Sequence, residues 1–471
     1  MAWTKTRTAA VLGASAGAGC VAWKIWKNAD LRVQNRPLQR GGKIVILGAG
    51  FGGMAAAQEL SKLLPEDGDA EITLIDQNNF LLFTPMLTEV AGGELDPRHI
   101  VAPPRQLSRR IQFRQGTVRE ISLANRSVTL ELNGGDQSTR TLQADHLIIA
   151  LGSVPKFHGI PGVQEHSLPV KSIGDAAAIR NRVLTSFERA SWESDEKVRR
   201  ELLTFVIGGG GYTGVETMAA INGLARESIK NYPGIAPQEI ETYIVEPGDR
   251  LLPELSADLA SFAEKKLEQH GVQVILKTKV ASAGENYVEL ESGKRIPSRT
   301  LIWAGGVAPN PLVGKLNCER GKHSAIVVDG CCRIPGHFGL WALGDCAEVP
   351  KPGGKETYAP TAQNATREGR LVARNIVAML RGQQPKAFAF QEIGELALVG
   401  KREGVAKIYG RHFSGLLAWA MWRAIYLSKM PGMAQRARIL LDWALDFVFG
   451  RTVAEFPVDR STGARTHRAG S

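Results

Sequence analysis

One pattern, occurring twice, constrains this chain more than any other. An apolar run ends in glycines spaced G-x-G-x-x-G, and a run with helical periodicity follows at once. The first copy is KIVILGAGFGG (43–53), carrying Gly48, Gly50 and Gly53. The second is LLTFVIGGGGYTG (202–214), carrying Gly209, Gly211 and Gly214, 161 residues further on. Near-continuous apolar runs of this length read as buried parallel strands. MAAAQELSKLL (54–64) and VETMAAINGLARESI (215–229) supply the helices, and EITLID (71–76) and TYIVE (242–246) the next strands. Each unit is thus a strand, a glycine turn, a helix and a second strand, the size of one βαβ motif.

That context gives the glycines physical roles. The first permits a tight turn, the second lets the backbone approach a pyrophosphate, and the third lets helix and strand pack closely. The anion then rests on the helix N-terminus, where free N–H groups and the dipole favour negative charge. Asp76 and Glu246 end the second strands, where a carboxylate accepts hydrogen bonds from ribose hydroxyls. Glu246 would repel a 2′-phosphate, which favours NADH over NADPH at the second site; Arg250, four residues on, keeps NADPH as an alternative. The expected fold class is α/β, with two Rossmann-like dinucleotide-binding domains. A late strand, GLWALGDCA (339–347), ends at Gly344-Asp345, where a carboxylate can bond a ribityl chain and the start of a following helix would face the pyrophosphate. The bland alternative for Asp345 is a helix N-cap. Beside the first glycine motif, this strand points to FAD at the first site. Glu216, two residues past the second motif, reads most simply as a carboxylate complementing a helix dipole. The sharper reading puts it near nicotinamide and flavin, positioning NADH or relaying protons.

With 471 residues the chain is too long for one core, and its 44% hydrophobic and 22% charged residues are those of a globular protein. The net charge of +11 sits at the ends: residues 1–42 carry +6 and residues 400–471 carry +7. Basic ends on a neutral body suit an anionic membrane surface and argue against nucleic acid. Five scattered cysteines (Cys20, Cys318, Cys331, Cys332, Cys346) form no disulfide framework and suit a reducing compartment. His99, His146, His158, His323 and His337 show no metal spacing and read as structural or solvent-facing. From Thr8 to Trp23 runs a mildly apolar stretch too short for a spanning helix; it reads as a membrane-associated helix, a cleaved targeting segment or a disordered lead. Two Trp-rich stretches near the end, 416–430 and 439–449, have basic neighbours. The second places Leu440, Trp443, Ala444, Phe447 and Val448 on one face and Asp442 and Asp446 opposite, as expected of a helix docking on a membrane or a second subunit.

Taken together, the strings VILGAGFGGMAAA, NNFLLFTPMLTEVAGGELDP, HLIIALGSVPKFHGIPG, FVIGGGGYTGVETMAA, YIVEPGDRLLPEL, TLIWAGGVAPNP, LWALGDCAEVP, PTAQNATREG and ELALVGKREGVAKIYGRHFSGLLAW resemble the type II NADH dehydrogenases, single-subunit membrane-bound NADH:quinone oxidoreductases. The resemblance runs from about Gly42 to Pro457. It implies an FAD domain interrupted by an NADH domain, then a C-terminal membrane-docking segment. It further implies hydride transfer from NADH to flavin and two-electron reduction of a quinone, with no iron–sulfur cluster and no proton pumping. The expected division is 1–41 leader or anchor, 42–170 FAD domain, 171–320 NADH domain, 321–384 FAD domain again, and 385–471 membrane-associated. The expected flavin residues are Gly48, Gly50, Phe51, Gly52, Gly53, Asp76, Thr84, Gly152, Gly344, Asp345 and Ala362. For NADH they are Gly209, Gly211, Gly214, Glu246 and Gly305. Glu216 matches the family's acidic residue near the nicotinamide, and Ala362 and Gln363 fall on its quinone-side loop; Glu216 and Gln363 are the expected catalytic pair. One departure stands out: AQNATREG places Arg367 where the family often has glutamine, which bears on the choice among ubiquinone-type and menaquinone-type quinones. The expected location is a peripheral one on the cytoplasmic face of the inner or cell membrane, with a homodimer as a further expectation.

Rival readings need features this chain lacks or need not keep. A flavin disulfide reductase needs a cysteine pair soon after the first helix, and no Cys lies between Cys20 and Cys318. Sulfide:quinone reduction also needs placed cysteines. An NADH-sensing flavoprotein would keep both nucleotide sites without quinone turnover. A reductase for a specialised naphthoquinone could take NAD(P)H.

Overall fold

The computed structural model describes residues 42–65, 69–132, 138–354, 356–391 and 393–455. The N-terminal stretch with Cys20, and residues 133–137, lie outside the described residues.

Two five-stranded, all-parallel sheets are built on one plan. In the first, the order across the sheet is Leu340–Ala342, His146–Ile149, Lys43–Leu47, Glu71–Asp76 and Gln112–Gln115. In the second it is Ser167–Pro169, Thr300–Trp303, Thr204–Gly208, Glu241–Val245 and Val272–Ile275. The strand feeding each glycine turn is central in both, buried on two faces as its apolar run requires. Each unit also carries a three-stranded antiparallel meander: Thr117–Ser122, Ser127–Glu131 and Thr139–Gln143 in the first, Val280–Ala283, Tyr287–Leu290 and Arg295–Pro297 in the second.

The sheets differ at one edge, and that edge records the insertion. The outer strand Leu340–Ala342 of the first sheet comes from beyond the whole second sheet in sequence. The chain leaves and returns through neighbouring strands, since Ser153–Pro155 pairs antiparallel with Val307–Pro309. Ser167–Pro169, ahead of residue 171, already pairs with the second sheet. The stretch after it is the helix Ile173–Trp192, opened by a capping box between Ser172 and Asp175, and then Glu196–Leu203.

The remaining chain completes the first unit and then adds a third layer. Helix Ala362–Leu380 packs along Phe51–Leu63 so closely that a Cβ on Gly369 would overlap the carbonyl oxygen of Gly52. Strands Gly394–Gly400, Glu403–Ile408 and Arg411–Ser414 form an antiparallel sheet, followed by helices Gly415–Lys429 and Met433–Phe449. The first of these strands packs on helix Tyr212–Ser228 of the second unit.

The last helix corrects the expected division of faces. Trp443 turns into the core with Ile439, and Asp442 and Asp446 face inward too. Asp442 accepts a hydrogen bond from the Asp96 N–H at 3.1 Å and lies 2.6 Å from His99 Nδ1, while Asp446 lines an internal cleft. Satisfying those carboxylates rotates the helix, so Leu440, Leu441, Leu445, Phe447, Val448 and Phe449 are exposed. No described helix is long and apolar enough to cross a membrane.

Candidate functional site

Gly48 has φ +102°, and a Cβ there would run into the Ala150 carbonyl; Gly209, at φ +115°, stands in the same relation to Ala304. A Cβ on Gly53 would overlap the oxygen of Gly48, and one on Gly214 the oxygen of Gly209. Gly50 and Gly211 are different: each is the N-cap of its helix, no side chain caps either helix, and an added Cβ would meet nothing within 4 Å. Both turns therefore present bare helix N–H groups across open space. These are two cradles for a pyrophosphate, and they fit FAD and NADH.

The carboxylates repeat the symmetry. Asp76 accepts from the N–H of Ala49 and of Asn78, both at 2.7 Å. Glu246 accepts from the N–H of Gly210 at 2.6 Å and of Gly248 at 2.7 Å. Each carboxylate thus clamps the middle residue of its glycine turn while standing at the strand end where a ribose would lie. Burial pushes Asp76 up, opposed by its two backbone hydrogen bonds.

Five distant segments meet around the first turn. Phe51 packs edge-on against Phe83, 5.6 Å between ring centroids, beside the exposed Thr84. Gly52 is buried, and a Cβ on it would strike Leu343 and crowd the Ala365 carbonyl; its role is to admit helix Ala362–Leu380. Gly152 has φ +67° with open space before it, and its neighbour Ser153 donates to Asp345 at 2.5 Å. Lys171 donates to Ser153 at 2.7 Å and stands 3.8 Å from Asp345. The expected helix directly after Asp345 is absent. Gly344–Cys346 is a single 3-10 turn followed by the two-residue strand Ala347–Glu348, and Asp345 caps no helix. The helix that reaches this turn begins at Ala362, capped by Thr361, and its Glu368 accepts from the Gly344 N–H at 2.8 Å. Burial raises Glu368 to about 7. Glu368, Ser153 and Lys171 were not singled out in the sequence; Glu368 sits in the glutamate-glycine pair that ends AQNATREG.

At the second site Gly305 lies against Gly209, and its carbonyl is 2.8 Å from His158 Nε2. Glu216 turns away from simple helix-dipole service. One carboxyl oxygen accepts from the Leu398 N–H at 3.0 Å and the Trp422 indole at 2.9 Å, both in the C-terminal layer. Its removal from bulk water raises it to about 8, against those two hydrogen bonds. A neutral acid therefore stands where both nucleotide units meet the C-terminal helices. Gln363 occupies the first turn of helix Ala362–Leu380, half-buried, and its carbonyl accepts from Arg367 at 2.9 Å. The Arg367 guanidinium lies 3.9 Å above the Phe390 ring. Cys318, Cys331, Cys332 and Cys346 are free thiols, and no metal-ligating cluster occurs among the described residues.

Two dinucleotide cradles, one unit inserted in the other, with their clamped carboxylates define a flavin- and pyridine-nucleotide-dependent oxidoreductase. Residues 42–369 match the family described as pyridine nucleotide-disulphide oxidoreductase, and residues 393–452 match the NDH2 C-terminal domain. The chain is 31% identical over 420 residues to a probable NADH dehydrogenase of Dictyostelium discoideum, covering 88% of this chain and 91% of that one. It is 31% identical over 443 residues to a type II NADH:quinone oxidoreductase of Mycobacterium tuberculosis, covering 90% and 92%. Among solved structures, NDH2 from Plasmodium falciparum in complex with NADH superposes with a TM-score of 0.81 at 21% identity, covering 88% of this chain and 100% of that one. The chain belongs to the pyridine nucleotide-disulphide oxidoreductases and, within them, to the type II NADH dehydrogenases.

Proposed function

We propose that this chain is a non-proton-pumping NADH:quinone oxidoreductase, holding FAD at the first cradle and taking NADH at the second. The carrying observation is the pairing of two bare glycine cradles with a C-terminal layer whose outward face is apolar. FAD, when bound, accepts two electrons from NADH and releases them to the quinone. Gly48, Gly50, Gly53 and the start of helix Phe51–Leu63 would hold its pyrophosphate, Asp76 its ribose, and Asp345 its ribityl chain, with Thr84, Gly152, Gly344 and Ala362 around it. Gly209, Gly211 and Gly214 would hold the NADH pyrophosphate, Glu246 its ribose, and Gly305 the facing wall. Gln363 and Arg367 would border the quinone headgroup, and Glu216 would hold a proton for it.

The exposed Leu440, Leu441, Phe447 and Val448 beside Arg436 and Arg438 suit a peripheral docking face at an anionic membrane surface. We place that surface on the cytoplasmic face, and the same apolar layer would serve a homodimer. We set the domain limits at 42–166 with 321–384 for FAD, 167–320 for NADH and 385–471 for the membrane. NADH oxidation by the purified FAD-loaded protein, with ubiquinone and menaquinone analogues compared, tests the reading. Flavin reduction by NADH without turnover of either quinone would overturn it in favour of an NADH sensor.

A further inference from the structure

Quinone reduction, the proposed activity on which this inference depends, consumes a proton that NADH does not carry: NADH, one proton and a quinone give NAD+ and a quinol. One proton per turnover must come from water, although the quinone enters from the membrane side. A cleft between helix Tyr212–Ser228, the short helix Leu87–Ala91 and the two C-terminal helices offers the route. Exposed Lys401 and Arg402 stand at its rim, and Glu89, Glu94, Glu216 and Asp446 stand in its walls.

Charge in this cleft does not balance. Arg423 bonds Glu89 at 3.3 Å and Glu94 at 3.1 Å, and Arg451 bonds Glu94 at 2.5 Å and lies 3.8 Å from Glu227 and 4.0 Å from Asp446. Glu227 has a further cation in Lys401, at 4.0 Å on the rim. Arg423 and Arg451 inside the cleft, with Lys401 and Arg402 at its rim, thus stand among five carboxyls: Glu89 shares Arg423 with Glu94, Glu216 has no ion pair among the described residues, and a buried carboxylate short of a cation keeps its proton instead. Glu89 is 2% exposed. Its Oε1 accepts from Trp443 at 3.2 Å and from Arg423, whereas its Oε2 is buried with no hydrogen-bond partner among the described residues. That is the arrangement a carboxylic acid needs: one oxygen held by donors, the other free to carry hydrogen. Burial raises Glu89 well above the usual carboxylate range, repulsion from Glu94 and Glu216 adds to it, and Arg423 and Trp443 oppose it.

We propose that Glu89 is the relay acid that reloads Glu216, carrying its proton on Oε2 and drawing it from water entering the cleft past Lys401 and Arg402. In each turnover the O–H bond of Glu216 breaks as its proton leaves for the quinone site. The Oε2–H bond of Glu89 then breaks as its proton crosses the cleft and forms a new O–H bond on Glu216. Water restores the proton to Glu89. No electrons move in these steps, and one proton is taken up per quinone reduced.

The test compares wild type, Glu89→Gln and Glu89→Asp as FAD-loaded full-length proteins. Glu89→Gln keeps an oxygen for Trp443 and Arg423 but cannot relay. Stopped-flow flavin reduction by NADH should be unchanged in both variants. Steady-state quinone turnover of Glu89→Gln should fall by about tenfold or more. Added formate, a small diffusible acid, should restore turnover in proportion to its concentration, and Glu89→Asp should retain partial turnover without it. Quinone turnover equal to wild type in Glu89→Gln would overturn the proposal. So would a loss that formate does not restore, or one accompanied by slowed flavin reduction, since both mark a structural role. Wild type reducing its flavin but no quinone would remove the underlying reading instead, which the wild-type arm shows separately.

Discussion

Glu246 does two jobs with one carboxylate: it ties down Gly210 and Gly248, and it sets negative charge where a 2′-phosphate would sit. Glu246→Arg should therefore shift preference from NADH toward NADPH by about tenfold, some 1.4 kcal/mol, read as the ratio of kcat/KM for the two nucleotides. An unchanged ratio would remove Glu246 from the ribose site. At this scale the sequence was legible where one residue serves one local geometry: the strand–glycine–helix order alone identified Gly48, Gly53, Gly209 and Gly214, and the packing shows why no Cβ fits. It was illegible where the partner is remote in the chain. Nothing near Glu216 announces Leu398 and Trp422, and nothing near Gly344 announces Glu368. Arg367 belongs to the second kind. Burial and Arg370 lower it to about 10, so it stays charged at neutral pH, and Phe390 holds its plane. Arg367→Gln, which restores the family's usual residue, should change the quinone KM several-fold, about 1 kcal/mol, and leave flavin reduction by NADH unaltered. Equal KM values for both quinone types in variant and wild type would take Arg367 out of the headgroup site.

Periodicity finds the strands and helices, and on the last helix it misplaces Trp443 and the two aspartates. Helix Met433–Phe449 offers two stripes, one of leucines, phenylalanine and valine, the other of Asp442, Asp446 and Trp443. The sequence pattern puts Trp443 with the first stripe and sets that stripe against a membrane or a second subunit. The structure buries the second, because His99 and the Asp96 N–H hold Asp442, and those partners lie more than three hundred residues away in sequence. The same rotation explains the apolar exterior, since a helix docked by its polar stripe leaves its leucines uncovered by the described residues. Leu441 and Val448 are 57% and 68% exposed. Replacing both by glutamate should lower cosedimentation with anionic vesicles by about tenfold or more, since burying each side chain is worth on the order of 1–2 kcal/mol, while the melting temperature stays near wild type. Unchanged vesicle binding would move the docking face elsewhere.

At the scale of the whole molecule, the three layers are joined by ionisable groups held away from water. Glu216 and Glu368 keep their protons to about 8 and about 7, whereas in the unfolded chain they release them in the usual carboxylate range. These two groups therefore bind more protons in the folded state than in the unfolded state between those limits, and the stability they contribute falls as pH rises from about 4.5 to about 8. Glu216→Gln should flatten that slope, with a gain on the order of 1–3 kcal/mol at alkaline pH in thermal melts; a slope identical to wild type would mean Glu216 ionises freely. Arg451 joins the layers from the cationic side. Its side chain is 5% exposed, donates to Glu94 at 2.5 Å and to the Ala220 carbonyl at 2.8 Å, and its own N–H donates to Glu227 at 3.1 Å. Glu94 follows the short helix of the flavin unit, Ala220 and Glu227 belong to the NADH-unit helix, and Arg451 ends the C-terminal layer, so one guanidinium closes a three-way junction. Arg180 pins the same segment through the carbonyls of Thr452 and Ala454, both at 2.6 Å. Arg451→Ala would leave Glu94 and Glu227 short of their shared cation, which costs about 3–5 kcal/mol in a buried pair. Loss of that junction should release the C-terminal helices before either dinucleotide unit unfolds. Limited proteolysis should then cut Arg451→Ala ahead of strand Gly394–Gly400 while the fragment before it keeps its flavin absorbance; cleavage no faster than in wild type would show that Arg180 and the apolar contacts hold the layer without Arg451.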